Sequence, residues 1–147
     1  MVSRANTKGF TLIETMIVLV VLGILMTFAM PLYQDSARKV RRAEAKRELL
    51  ELALRQERYY AQHREYSADI NSDQGLNYRR TQTENGMYDL LVDACHRGGS
   101  AMGLDRCYRL IARPRPGSDQ RHDTCGELSV DGLGLHAATG PAHANCW

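Results

Sequence analysis

The sequence lacks the short motifs that mark the common catalytic sites. It contains no glycine-rich phosphate loop, no Gly-x-Ser-x-Gly nucleophile turn and no His-Glu-x-x-His pair anywhere in its 147 residues. Serine, histidine and aspartate all occur, but no spacing brings them into a defined constellation. The sequence therefore predicts a protein that is not an enzyme and that uses no cofactor.

The chain also lacks a charge imbalance once its first residues are set aside. The formal charge is +2, and Arg4 and Lys8 both precede Phe10; without them, 17 basic side chains face 17 acidic ones. Global charge thus gives no case for a nucleic-acid partner, although arginines are concentrated within residues 38–64 and 79–121.

Cysteine is missing from the first 94 residues and then occurs four times, at Cys95, Cys107, Cys125 and Cys146. An even number in the part of the chain that a membrane anchor could expose outside the cytoplasm favours disulfides over reduced thiols, and four cysteines permit three pairings. Histidines share the region, but no short Cys-x-x-Cys pair occurs. Disulfides are therefore the stronger prediction, and no metal site is expected.

Charge is almost absent from residues 10–33, FTLIETMIVLVVLGILMTFAMPLY, where Glu14 is the exception. The length approaches the ~20 residues that a membrane-spanning helix needs. The Ala-x-Ala cleavage site of a conventional secretory signal does not follow the apolar run. An unpaired carboxylate within a membrane costs ~2.5 kcal/mol or more, so Glu14 is expected to have a partner.

Residues 8–14, KGFTLIE, followed by this apolar run, closely resemble the leader junction of type IV prepilins. The resemblance implies that prepilin peptidase cleaves between Gly9 and Phe10 on the cytoplasmic face and that the new amino group of Phe10 is methylated. It also implies that Glu14 meets the amino group of a neighbouring subunit's Phe10 in a filament. The alternative is an ordinary single-span anchor in which Glu14 reaches the membrane surface.

Glycine and proline are absent from residues 34–66, which are rich in good helix formers and predict an amphipathic helix that continues from the anchor. The predicted core face is the stripe Val40, Ala43, Arg47, Leu50, Ala53, Leu54 and Ala61. Pro31 predicts a kink or a local break near residues 23–31. The pilin resemblance implies that this zone bends or partly melts during filament packing.

Residues 67–86 show little periodicity and predict a connecting loop. Alternating apolar residues then predict strands at 87–94, 107–113 and 125–131, paired antiparallel, with a short fourth strand near 133–138. The resulting divisions are a leader, an apolar helix, an amphipathic helix, a loop and a disulfide-closed sheet region, at residues 1–9, 10–33, 34–66, 67–86 and 87–147.

The run QERYY at residues 56–60 resembles PilE-type minor pilins, as do DTCGEL at residues 123–128, the glycines after it and the closing Cys146-Trp147. This resemblance implies an α+β type IV pilin fold, in which a long amino-terminal helix packs on an antiparallel sheet of three or four strands. It also implies a Cys125–Cys146 bridge, because the family closes its terminal segment in that way, which leaves Cys95 to pair with Cys107.

The leading functional hypothesis is a minor structural subunit of a type IV pilus that supports pilus biogenesis, twitching motility or adhesion. The subunit would span the bacterial inner membrane once and then enter the pilus fibre at the cell surface. Its partners would be other pilins, the prepilin peptidase and methyltransferase, and the pilus assembly machinery.

Two alternatives remain open. In the first, the head receives DNA for uptake, as the family's competence pilins do, because residues 76–122 hold eight basic and five acidic side chains. The candidate DNA contacts are Arg79, Arg80, Arg97, Arg106, Arg109, Arg113, Arg115 and Arg121. The second is a pseudopilin of type II secretion, against which the Cys-Gly and Cys-Trp ending argues.

Overall fold

The computed structural model describes residues 10–147, so the predicted leader and Gly9 of the predicted cleavage site lie outside the described residues. The described residues divide into two compact units, residues 10–36 and Ala37–Trp147. One helix, α1 (Leu12–His63), supplies the described helical part of the first unit and the first element of the second.

In the first unit, α1 is long and apolar enough to cross a membrane. Its side chains are exposed from Leu12 onward through this unit, as expected for a surface that meets lipid or other helices rather than its own domain. Pro31 lies inside the helix. The sequence predicted either a kink or a local break near residues 23–31, and the break is wrong because α1 is continuous there. A membrane helix can accommodate the one backbone hydrogen bond that proline removes.

The second unit is an antiparallel sheet packed against the continuation of α1. The strands are β1 (Tyr88–Ala94), β4 (Tyr108–Pro114), β5 (Leu128–Asp131) and β6 (His136–Ala138), paired in the order β1-β4-β5-β6. A separate small hairpin pairs β2 (His96–Arg97) with β3 (Ser100–Ala101). The predicted α+β class, with a long helix on a small antiparallel sheet, is confirmed.

Strand register places alternate apolar side chains on the face that α1 covers. Leu90 lies opposite Ala112, and Leu110 lies opposite Val130. These residues are buried, together with Leu128 and with Leu49 and Leu52 of α1. The alternation read from the sequence therefore identified the correct side of each main strand.

The predicted core face of α1 is wrong. Val40, Leu50 and Leu54 are 70%, 48% and 62% exposed, whereas the buried residues of the helix are Ala45, Glu48, Leu49, Leu52 and Gln56. At about 100° per residue, the two sets lie on roughly opposite sides of the helix. The face of α1 that turns toward the sheet is the one that can both pack against it and form hydrogen bonds with the connecting loop.

The carboxy-terminal segment folds back beside the sheet and is held by the Cys125–Cys146 disulfide; the second disulfide joins Cys95 with Cys107. This is the pairing that the family resemblance implied. Gly140 is needed at this closure, because a Cβ there would lie 2.1 Å from the Thr124 carbonyl oxygen. The predicted third strand begins later than expected, at Leu128, since residues 123–126 form a turn that the Gly126 N–H closes on the Asp123 carbonyl oxygen.

Candidate assembly helix and nucleic-acid interface

Thr11 and Glu14 form a reciprocal cap at the start of α1. The backbone N–H of Glu14 donates to the Thr11 hydroxyl oxygen at 3.3 Å, and the backbone N–H of Thr11 donates to Oε2 of Glu14 at 3.5 Å. This arrangement is a capping box, which satisfies amide groups that the first turn leaves free. No basic side chain among residues 10–147 forms an ion pair with Glu14, so the carboxylate is oriented but its charge is not neutralised within this part of the chain.

In the second unit, α1 carries an exposed row that we call the outward stripe: Val40, Ala43, Arg47, Leu50, Leu54 and Ala61. The first five members are separated alternately by three and four residues, which is the spacing of a helix that packs along another helix. Ala53, which the sequence placed in the same row, is partly buried and packs against the core instead.

The opposite face of α1 binds the connecting loop through polar side chains. Gln56 donates from Nε2 to the Ser67 carbonyl oxygen at 2.7 Å and accepts the Ser67 N–H at Oε1 at 2.9 Å. Glu48 accepts the Glu84 N–H at 3.1 Å. Arg55 donates to the carbonyl oxygen of Asn77 at 2.9 Å. Buried loop amides and carbonyls need such partners, which explains the polar residues on the covered face.

A second polar network fixes the base of the head. Gln120, which is fully buried, donates from Nε2 to the Tyr88 hydroxyl at 2.8 Å and to Asp123 Oδ2 at 2.6 Å. Arg42 pairs with Asp123 at 3.5 Å and contacts Cys125 Sγ. Burial raises the pKa of Tyr88, and the charge of Asp123 raises it further. The network links α1, β1 and the disulfide-closed segment.

Three of the eight arginines predicted to contact DNA are paired with carboxylates in the structure. Arg113 pairs with Glu127, Arg115 with Asp89 at 3.4 Å, and Arg106 with its neighbour Asp105 at 3.5 Å. Arg109 donates to the Ser129 hydroxyl at 3.4 Å, and its strand neighbours in register are Asp93 and Asp131. The sheet face away from α1 therefore alternates positive and negative charges.

The remaining four arginines lie elsewhere and are exposed: Arg79 and Arg80 in the connecting loop, Arg97 in the β2–β3 hairpin, and Arg121 in a short 3-10 helix. The eight candidates are thus distributed over several elements rather than gathered on one. The guanidinium carbon of Arg80 lies 5.3 Å from the centroid of the Tyr78 ring, and that of Arg55 lies 5.0 Å from the same centroid.

Sequence reasoning missed the contribution of α1 to this loop surface. A surface cavity of about 190 Å³ is lined by Arg55, Arg58, Tyr59, Gln62, Gly75 and Leu76. Arg58 is exposed, and Arg55 and Arg80 meet at the Tyr78 ring. We call Arg79 and Arg80 of the connecting loop, together with Arg58 near the end of α1, the loop arginines. The sequence does not reveal which loop the end of α1 faces, so Arg58 could not be grouped with Arg79 and Arg80 before the fold was known.

No group of three or more histidine, cysteine, aspartate or glutamate side chains that could hold a metal ion occurs within residues 10–147. The four cysteines are all consumed by the two disulfides.

A long amino-terminal helix, apolar in its first part and packed on a small antiparallel sheet in its later part, is the fold of the type IV pilin class. The solved structure of the non-core minor pilin PilV from Neisseria meningitidis shares this fold, with a TM-score of 0.50 and 24% sequence identity, covering 74% of this chain and 92% of that one. Residues 4–30 match the prokaryotic N-terminal methylation motif.

Residues 31–129 match the family model described as type IV minor pilin ComP, DNA uptake sequence receptor. The chain belongs to this family of type IV minor pilins. Over shorter stretches it is similar to two fimbrial proteins of Eikenella corrodens. EcpB is 62% identical over 32 residues and EcpC is 53% identical over 38 residues, which are 22% and 26% of this chain. The matches span only 20% and 25% of those relatives' own lengths.

Proposed function

We propose that this minor pilin is cleaved between Gly9 and Phe10, methylated on Phe10, held in the bacterial inner membrane by residues 10–33, and incorporated into a pilus through α1. Prepilin peptidase would process it, and other pilins and the pilus assembly machinery would be its partners. The methylation motif at residues 4–30 supports the processing step.

The observation that carries the proposal is the exposed apolar surface of α1. Residues 12–33 have no covering element, and large side chains such as Leu12, Phe28 and Leu32 are 78%, 70% and 71% exposed. Such a surface needs lipid before assembly and neighbouring helices afterwards. Pro31 would then let this part of α1 adjust as lipid is exchanged for helices.

Glu14 fixes the axial register between the packed helices of neighbouring subunits. The Thr11 cap orients its carboxylate, and the methylated amino group of a neighbour's Phe10 would neutralise it. A charge pair buried between helices fixes register more than it adds stability, because desolvation offsets much of the attraction.

The test replaces Glu14 with Gln in the full chain, in a piliated strain without its own copy, and measures the subunit in sheared filaments and in membranes. We expect normal membrane levels and a loss of about 10-fold or more from filaments. The matched control is Glu65→Gln, an exposed carboxylate of the head. Wild-type incorporation of the Glu14 variant would contradict the role of the charge. Mass spectrometry of the wild-type amino terminus tests cleavage and methylation directly.

A second function, DNA binding by the head, is favoured by the matching family model, whose description names a DNA uptake sequence receptor. We propose the loop arginines as the phosphate contacts, since they are exposed and form no salt bridge within residues 10–147. Arg113 and Arg115 are poorer candidates, because neighbouring carboxylates already neutralise them.

A gel-shift titration of the full chain in detergent tests this function. Replacing Arg79 and Arg80 together with Gln should weaken binding and reduce the slope of log affinity against log salt by up to about 0.9 per lost phosphate contact. The control replaces Arg113 and Arg115 together with Gln, which makes the same loss of two charges at sites that are paired with Glu127 and Asp89. If DNA is not retarded even at low salt, the proposed DNA binding is wrong. If the slope is unchanged in the double variant, Arg79 and Arg80 are not the phosphate contacts.

The pseudopilin alternative is less well supported, because both curated relatives are fimbrial proteins. A deletion strain separates the two systems. Normal surface pili with failed enzyme secretion would favour the pseudopilus.

A further inference from the structure

The turn between β5 and β6, residues 132–135, carries two leucines that remain largely exposed. Leu133 is 58% exposed and Leu135 is 66% exposed. We call these four residues the leucine tip. Glycines alternate with the leucines; Gly134 has a φ of +78°, and a Cβ there would meet no group of residues 10–147 within 4 Å. The tip is therefore a narrow, convex projection that presents two apolar side chains.

The backbone of the leucine tip satisfies its own N–H groups. Oδ1 of Asp131 accepts the N–H of Leu133 at 3.0 Å and that of Leu135 at 2.9 Å. The N–H groups of the two glycines donate to main-chain carbonyl oxygens at 2.9 and 3.0 Å. An exposed turn does not need these four bonds, because water can accept from its amides. In an apolar medium an unsatisfied amide is strongly unfavourable. The tip is thus suited to leave water.

The leucine tip lies at the end of the head where α1 finishes. The Gly132 N–H donates to the Tyr108 carbonyl oxygen at 2.9 Å, and the Tyr108 ring packs edge-on against the ring of Tyr66, with 4.6 Å between centroids. Tyr66 follows closely after His63, the last residue of α1. The tip is therefore at the end of the head that is farthest along α1 from the apolar segment.

Charge and area restrict what the tip can contact. On the strand ends beside it, Arg106 pairs with Asp105, and Arg109 lies in register between Asp93 and Asp131, so these arginines leave no excess of positive charge. Two leucines also offer far less surface than the ~1,200–2,000 Å² that a stable protein interface buries. A lipid surface requires neither net charge nor a large matched patch, because apolar burial is non-directional.

We propose that the leucine tip inserts into the lipid surface of a membrane other than the one that anchors α1, and that zwitterionic lipid is sufficient for this. The head would then attach the protein to a second bilayer. The proposal goes beyond incorporation into a pilus and beyond DNA binding, and it depends on neither.

The experiment places the full chain in immobilised phosphatidylcholine nanodiscs, so that α1 is already in lipid, and measures the capture of separate phosphatidylcholine vesicles. Wild type should capture vesicles well above empty nanodiscs. Serine at both Leu133 and Leu135 should lower capture about 10-fold or more, and methionine at both should keep it within about 2-fold. The matched control is serine at both Leu50 and Leu54, which removes two exposed leucines from α1.

Two further measurements separate lipid insertion from other contacts. Capture should change by less than about 2-fold between low and high salt, because no net charge drives it. A tryptophan in place of Leu133 should be quenched by vesicles of brominated phosphatidylcholine, whereas one in place of Leu54 should not. Near-UV circular dichroism checks that each variant folds.

Absence of capture by wild type, full capture by the Leu133 and Leu135 serine variant, or capture that requires anionic lipid would each overturn the proposal. In cells, a photoreactive side chain at position 133 that cross-links only to protein would overturn it as well. Because the capture assay uses neither filaments nor DNA, a negative result would leave both proposed functions intact.

Discussion

The two faces of α1 within the head differ in the opposite sense from most amphipathic helices. The face toward the sheet combines Leu49 and Leu52 with the buried polar residues Glu48 and Gln56, while the outward stripe presents Leu50 and Leu54 to the surroundings. The inner face serves two structures at once, since the sheet requires apolar packing and the connecting loop requires hydrogen-bond partners. The outward stripe presents apolar side chains that neither the sheet nor the connecting loop covers.

The largest difference between the faces is expected from paired leucine truncations. Leu49→Ala removes a fully buried side chain and should lower the free energy of unfolding by about 2–5 kcal/mol. Leu50→Ala, one residue later on the outward stripe, should change it by no more than about 0.5 kcal/mol. Urea unfolding of the full chain in detergent, followed by near-UV circular dichroism, measures both. Equal losses would show that the faces are wrongly assigned.

The polar part of the inner face is tested by Gln56→Leu. The side chain is buried and bonds both the N–H and the carbonyl oxygen of Ser67. Leucine would leave these loop groups without partners, at a cost of about 1–3 kcal/mol. Gln62→Leu at an exposed position of the same helix is the control. A Gln56→Leu head that is as stable as wild type would mean that packing alone defines the inner face.

The sequence predicted the elements of the head better than their faces. Strict alternation around Leu90, Leu110 and Val130 is a two-residue period that points to only one side of a strand. On α1 an apolar stripe was visible, but it was assigned to the chain's own sheet. Glu48 and Gln56 could not be recognised as buried, because their partners come from a loop that is distant in sequence.

The candidate sites divide in the same way. The junction around Gly9, Phe10 and Glu14 was read from a contiguous motif and remains a proposal for experiment. The disulfide pairing came from family resemblance, since sequence alone leaves three pairings open. The arginines were grouped by proximity in sequence, whereas strand pairing places Arg109 between Asp93 and Asp131. Only strand register could show which carboxylates are the neighbours of Arg109.

Alkaline pH provides a smaller test of the packing beneath the inner face. Burial raises the pKa of Tyr88 and of Tyr108 well above 10. Between about pH 10 and these higher values, the tyrosines lose their protons in the unfolded chain but not in the folded one. The free energy of unfolding is therefore unaffected below about pH 10 and falls above it by about 1.4 kcal/mol per pH unit for each tyrosine. Rapid denaturant titrations from pH 9 to 11 measure the slope. Tyr108→Phe should remove one tyrosine's share, and an unchanged slope would contradict the assignment.

The smallest effect is expected where the two faces meet. Arg55 pairs with Glu51 one turn earlier at 3.0 Å, and it also donates to the carbonyl oxygens of Leu76 and Asn77. The ion pair is partly exposed, so Glu51→Gln should cost only about 0.2–0.5 kcal/mol, and less at high salt. Arg55→Gln should cost more, because the loop carbonyls lose their donor at any salt concentration. Unfolding of both variants at low and high salt would separate these two contributions. Equal losses with equal salt dependence would mean that Arg55 acts only through Glu51 and that the border of the inner face does not hold the loop.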